Sequence, residues 1–102
     1  MTKDPHITAI VKEILDLIKN ISPGKSVELR VPPYGAIQCV AGSNHRRGTP
    51  PNTVEMSGQT LVRLINKPAL WSSLCESGEV RASGLLSDLS NLFAQAAVKY
   101  RA

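Results

Sequence analysis

His45, Arg46 and Arg47 stand side by side within GSNHRRGTPPN, residues 42–52. Two guanidiniums and an imidazole are groups that grip a phosphate or carboxylate, because arginine offers paired N–H donors to both oxygens of such an anion. Gly42, Gly48, Pro50 and Pro51 frame the trio. The prolines stiffen the segment and lower the entropy lost when it orders around a ligand. A connection this long without periodicity is a common place for function. The trio is therefore the candidate anion site. A purely structural role competes with it, since Glu55 follows closely and can pair with either arginine.

The remaining reactive side chains form no catalytic set. No G-x-S-x-G elbow, P-loop or GxGxxG is present, so neither a nucleophilic serine nor a nucleotide cofactor is expected. His6 and His45 have no cysteines or carboxylates at ligand spacing, which argues against a metal site. His6 falls at a helix start, exposed and without a role. Cys39 and Cys75 lie in apolar surroundings without CxxC spacing and read as buried, reduced thiols. The expectation is a protein without cofactor, metal or independent catalysis.

The formal net charge is +4, but apart from Arg46 and Arg47 the cations are scattered. No basic run interleaved with aromatics is present, so nucleic acid is not an expected partner. No apolar run approaches the ~20 residues of a membrane span, which excludes stable membrane insertion. Asp4 and Pro5 occupy the place where a signal peptide carries its apolar segment, so a cytoplasmic location is expected.

These residues need a scaffold, and 102 residues of which 42% are hydrophobic suffice for one domain, residues 1–102. With four aromatics, Tyr34, Trp71, Phe93 and Tyr100, the core must be mostly Ile, Leu, Val and Ala. An empty apolar pocket of ~300 Å³ would cost about 7 kcal/mol at ~24 cal/mol per Å³. Native stability is only about 5–15 kcal/mol. Any apolar tunnel must therefore be small, wet, or filled by side chains or ligand.

Ile7, Ile10, Val11, Ile14, Ile18 and Ile21 recur at helical spacing, with Asp4 as cap, Pro5 at the first helical position and Ser22-Pro23-Gly24 as stop. Alternation predicts a strand over Val27–Val31, and a second over Ala36–Ala41 joined to it through PPYG. Tyr34 in that turn should pack with its hydroxyl in water. Thr53–Met56 reads as a third strand, and Ser57 caps a helix carrying Leu61, Val62, Leu64 and Ile65. Pro68 opens a short helix that Gly78 closes, and Glu79–Ser83 alternates as a fourth strand. A terminal helix buries Leu86, Leu89, Leu92, Phe93, Ala96, Ala97 and Tyr100 on one face. Its charges, Asp88 at the start and Lys99 and Arg101 at the end, suit the helix dipole. The order predicts an α/β fold of the α+β type: a mainly antiparallel sheet with helices packed on one face.

The pattern from Val54 to Phe93, with Leu61-Val62-Arg63-Leu64 and then Gly78-Glu79-Val80-Arg81-Ala82-Ser83-Gly84, resembles the sterol carrier protein family. Leu85 stands where that family's motif usually has Asp. The first half, VELRVPPYGAIQCV and HRRGTPPNTVE, looks like a short actinobacterial branch known as bacterial sterol carrier orthologues. The resemblance implies a curved sheet, helices over one face, and an apolar tunnel for fatty acids, acyl-CoAs, sterols or phospholipids. It would then place Leu70, Trp71, Leu74, Leu89, Leu92, Phe93 and Ala96 along the tunnel. Read as helix stripes alone, the same residues are core.

Two functions are thus expected from different classes. One is a carrier or sensor holding an acyl lipid between sheet and helices, its anionic headgroup near the 42–52 loop. The other is an interaction module whose basic loop docks a protein partner or an enzyme's anionic substrate.

Overall fold

The computed structural model describes residues 3–42 and 52–101. Helix α1, Thr8–Ile21, leads into strands β1, Val27–Val31, and β2, Gly35–Cys39. Strand β3, Asn52–Met56, precedes helix α2, Gly58–Asn66. A 3₁₀ turn, Pro68–Leu70, runs into α3, Trp71–Glu76. Strand β4, Val80–Ser83, and helix α4, Ser90–Arg101, complete the described elements.

The sheet has the order β2-β1-β3-β4. Its outer pairings, β1 with β2 and β3 with β4, are antiparallel, as expected. The central β1–β3 pairing is parallel, which the strand patterns did not reveal. Alternation sorts the side chains cleanly. Val27, Leu29, Val31, Cys39, Val54, Met56 and Val80 are buried on the helix side. On the opposite face, Arg30 and Arg81 flank Glu55 in one cross-strand row. Arg30 pairs with Glu28 and Arg81 with Glu55, so that face balances its own charge.

Local chemistry explains the boundaries. The carbonyl of Asp4 accepts from the amides of Ile7 and Thr8 at 3.1 and 3.2 Å, while its carboxylate accepts from the amide of His6 at 2.9 Å. Asp4 thus organises a turn, and regular helix begins only at Thr8. Ser57 Oγ accepts from the amide of Thr60 at 3.1 Å, the expected cap of α2. Strand β2 stops two residues before the predicted Ala41, because Val40 turns to φ 66°. That conformation is rare for a β-branched side chain. It is held from both sides: the Val40 amide donates to Ser22 O at 2.8 Å, and Val40 O accepts from the Ser26 amide at 3.1 Å. Tyr34 departs from its expected setting. It is buried, and its hydroxyl accepts from the amide of Asp4 at 2.8 Å instead of lying in water. Leu86 departs too: α4 begins at Ser90, so Leu86 precedes the helix.

The core is one contiguous apolar cluster between sheet and helices. A void large enough for water would leave its lining accessible. Val11, Ile14, Ile18, Leu29, Val54, Leu61, Leu64, Ile65, Phe93 and Ala96 all have 0% exposure. Along these residues the seam is filled by side chains, the outcome that the cavity cost favours.

Candidate functional site

The seven apolar candidates divide. Trp71 and Phe93 pack ring against ring, centroids 5.8 Å apart with planes tilted 32°. Leu74 and Ala96 are buried in the same cluster, and Leu70 is half-buried against it. Leu89 and Leu92 behave differently. Although mostly covered, they also line an open groove of about 360 Å³ where the ends of α1 and β2 meet the start of α4. Ile21, Val40, Leu85 and Leu86 complete its apolar lining, with Ser22, Asp88, Asn91 and Gln95 as the polar part. Leu85 is 101% exposed and Leu86 41%. Two adjacent exposed leucines beside a depression are less ordinary than leucines scattered singly over a surface.

The groove adjoins both described ends of the long loop. Asn52, buried to 4% exposure, donates through Nδ2 to Ser26 O at 2.8 Å and accepts through Oδ1 from the Leu86 amide at 3.0 Å. One side chain thereby ties the start of β1 to the turn carrying the exposed leucines. Gly84, with φ 110°, lets that turn pass: a Cβ there would stand 2.2 Å from Asn52 Oδ1. Gly42, at the loop's other end, would bring a Cβ within 3.1 Å of Leu86 Cδ1. His45, Arg46 and Arg47 lie outside the described residues. Glu55, the expected structural partner of the arginines, is engaged by Arg81.

Other depressions carry less. One, of about 780 Å³, lies open on the outer sheet face and is lined by Arg30, Thr53, Glu55, Arg81 and Ser83 among others. Its charges are already paired with one another or with Glu28, as suits a solvated face. Among the described residues no group of three or more His, Cys, Asp or Glu is placed to hold a metal ion. Neither thiol is a ready nucleophile, since the thiolate is the reactive form. Burial pushes Cys39 up to about 11. Cys75, half-buried rather than buried as expected, is raised by desolvation and then by the Asp88 carboxylate. Asp88 itself is held below its ordinary range, chiefly by the Ser90 side chain and also by the Ser90 amide, which donates to it at 3.0 Å.

Sequence reasoning missed Asn52, Ser26 and the exposure of Leu85 and Leu86. Only the last left a signal: Asp88, a good cap, followed by Ser90, places the helix start beyond Leu86.

Comparison with known proteins follows the fold. The profile described as bacterial SCP ortholog matches residues 4–94. The chain belongs to the bacterial SCP ortholog family. Among solved structures, this family member is similar to "UbiJ-SCP2 Ubiquinone synthesis protein" at 20% identity, with a TM-score of 0.56, over 100% of this chain and 98% of that one. It is also similar to the solution structure of sterol carrier protein domain 2 of Helicoverpa armigera, at 18% identity and TM-score 0.52, over 96% and 95% of the two chains. At these identities the likeness is one of fold. A search of curated proteins gave no match. No helix among the described residues is long and apolar enough to cross a membrane.

Proposed function

We propose that this bacterial SCP ortholog is a small, non-enzymatic carrier or sensor of an acyl lipid. The acyl chain lies in the groove of Ile21, Val40, Leu86, Leu89 and Leu92, and the anionic headgroup is held by His45, Arg46 and Arg47. The observation that carries the reading is the position of the groove. It is an open depression of about 360 Å³, within the size range of ligand sites, with leucines along one part and polar side chains along the other, beside both described ends of the loop that bears the cations. Covalent reach limits where that loop can go: Arg47 is five residues from Gly42 and five from Asn52, hence within roughly 18 Å of each. The chemistry of the site is binding. Each methylene moved from water into the groove is worth about 0.8 kcal/mol when fully buried. The guanidiniums supply charge-assisted hydrogen bonds to a phosphate or carboxylate.

Two measurements test this. Native mass spectrometry of the protein as purified should show a bound lipid. A ligand-free compact monomer or dimer would instead favour an interaction module. Replacing Arg46 and Arg47 together with Ala should change stability by less than about 1 kcal/mol, as for surface side chains, and abolish binding of acyl-CoA or acyl-phosphate. Unchanged binding would remove the arginines from the site, and a large loss of stability would assign them to structure.

A further inference from the structure

We propose that strand β2 is a self-association edge: two copies of the chain pair antiparallel through β2 and join their four-stranded sheets edge to edge. The role does not depend on what the groove binds. The sheet ends at β2, so the backbone groups on its outer side meet no further strand among the described residues. A row of N–H and C=O groups of that kind is complementary to another extended strand. At its far end the chain leaves across β1 rather than along this edge. Val40 turns to φ 66°, and Gly42 already stands against Ser26, where an added Cβ would lie 2.2 Å from Oγ. Edges are usually guarded by charge, by proline or by a covering element. The opposite edge, β4, is guarded: α3 packs beside it, Val80 is buried and Arg81 is charged. Strand β2 reads Gly-Ala-Ile-Gln-Cys, without proline, and is the one described strand that holds no charged residue. Gly35, Ala36 and Gln38 are exposed, and Ile37 is half-buried.

Charge selects the partner. A two-fold axis beside Ile37 sets that residue opposite its own copy and Ala36 opposite Gln38 of the second chain, an isologous pairing. Ile37 shares a face with Leu29, its neighbour in β1, so its remaining exposed surface meets the same surface of its copy. On the outer face each row continues into β1, where Arg30 stands beside Ala36 and Glu28 beside Gln38. Every joined row then runs Arg30 and Ala36 of one copy to Gln38 and Glu28 of the other. Opposite charges stand at its two ends, and no charge faces its like. A charged foreign strand finds no counter-charge on β2, whereas a second copy needs none. A five-residue edge covers less than the ~800 Å² per side of a standard interface, so the dimer is a weak and reversible one.

Sedimentation of the full chain tests this, since monomer should pass reversibly to dimer as concentration is raised. Ala36→Lys with Gln38→Lys sets like charges opposite each other twice across the axis and should weaken the dimer roughly tenfold. Ala36→Glu with Gln38→Lys sets opposite charges at the same places and should tighten it by a similar factor. Both positions are exposed, so the melting temperature should hold in each double variant. Hydrogen exchange locates the contact: amides within Gly35–Cys39 should slow as the dimer forms, and those of Val80–Ser83 should not change. A natural chain that stays monomeric would overturn the proposal, as would two double variants that associate alike. So would slowing at β4 or at the Leu85–Leu86 turn in place of β2, which assigns self-association to those surfaces. If the lysine pair unfolds the chain, the Glu/Lys pair decides alone, and its failure to tighten the dimer overturns the proposal.

Discussion

Two apolar regions of this molecule are built on opposite terms. In the seam between sheet and helices, Ile14, Ile18, Leu29, Leu61, Leu64 and Phe93 have no accessible surface at all. At the base of the long loop, Leu85 and Leu86 are exposed, while the polar groups beneath them are tightly satisfied through Asn52. Indeed, among the described residues no buried side-chain polar atom lacks a hydrogen-bond partner. The difference follows from size. A dry internal cavity of ~300 Å³ would consume about 7 kcal/mol of a total near 5–15. An open groove leaves no such void, since water or ligand fills it. A chain this small can keep a sterol-carrier-like fold, fill its interior along the seam, and still expose apolar surface at one end.

The contrast is broken most directly in the seam. Phe93→Ala removes a ring that touches Trp71 and lies wholly inside the core. The expected loss is about 3–5 kcal/mol, as for other buried Phe→Ala changes, read from the urea midpoint at unchanged slope. Leu85→Ser, measured alongside, should stay within about 0.5 kcal/mol. Equal losses from the two would mean that the regions do not differ in the way described.

At the groove the vulnerable residue is polar. Asn52→Ala strands the Ser26 carbonyl at a buried position and leaves the part-buried Leu86 amide without its acceptor. Each unsatisfied group costs about 1–3 kcal/mol, so a loss of about 3 kcal/mol is expected. Hydrogen exchange at Leu86 gives the local check: its amide should become fast in Asn52→Ala. Continued protection there would show that another group holds the turn.

How much of this the residues reveal in advance depends on range. Alternation placed β1 correctly at Val27–Val31, and Ser57 announced α2, because both signals are local. The parallel β1–β3 pairing has no local mark; it is decided by which strands meet in space. The end of β2 was missed because Val40 adopts a conformation its side chain disfavours, held by bonds to Ser22 and Ser26. Helical spacing placed Leu89 and Leu92 on the same apolar stripe as Phe93 and Ala96 and could not separate the two pairs. A stripe facing a groove and a stripe facing a core have the same period. Asn52 was illegible, since a polar residue at a strand start is usually exposed. The cationic loop was legible as chemistry only, and its three candidates lie outside the described residues.

The dryness of the seam has a pH signature in Cys39, which is fully buried opposite Val27. Desolvation disfavours the thiolate and lifts the group from 9.0 to about 11 in the folded chain. Below pH 9 the thiol is neutral in both folded and unfolded states, and the group leaves stability unaffected by pH. Between pH 9 and 11 the unfolded chain loses this proton while the folded chain keeps it. The folded state then binds more protons, so stability must fall as pH rises. Above about 11 both states are ionised and the loss levels off. In full the effect amounts to roughly 2–3 kcal/mol. Other groups titrate in this range, so the quantity to measure is the difference between the natural chain and Cys39→Ala in urea denaturation from pH 8 to pH 11. The natural chain should lose the extra stability across that window. Cys75→Ala, at a half-buried thiol, should remove a smaller part of the dependence. Parallel curves for the natural chain and Cys39→Ala would mean that water reaches Cys39, and the argument for a filled seam would fail with it.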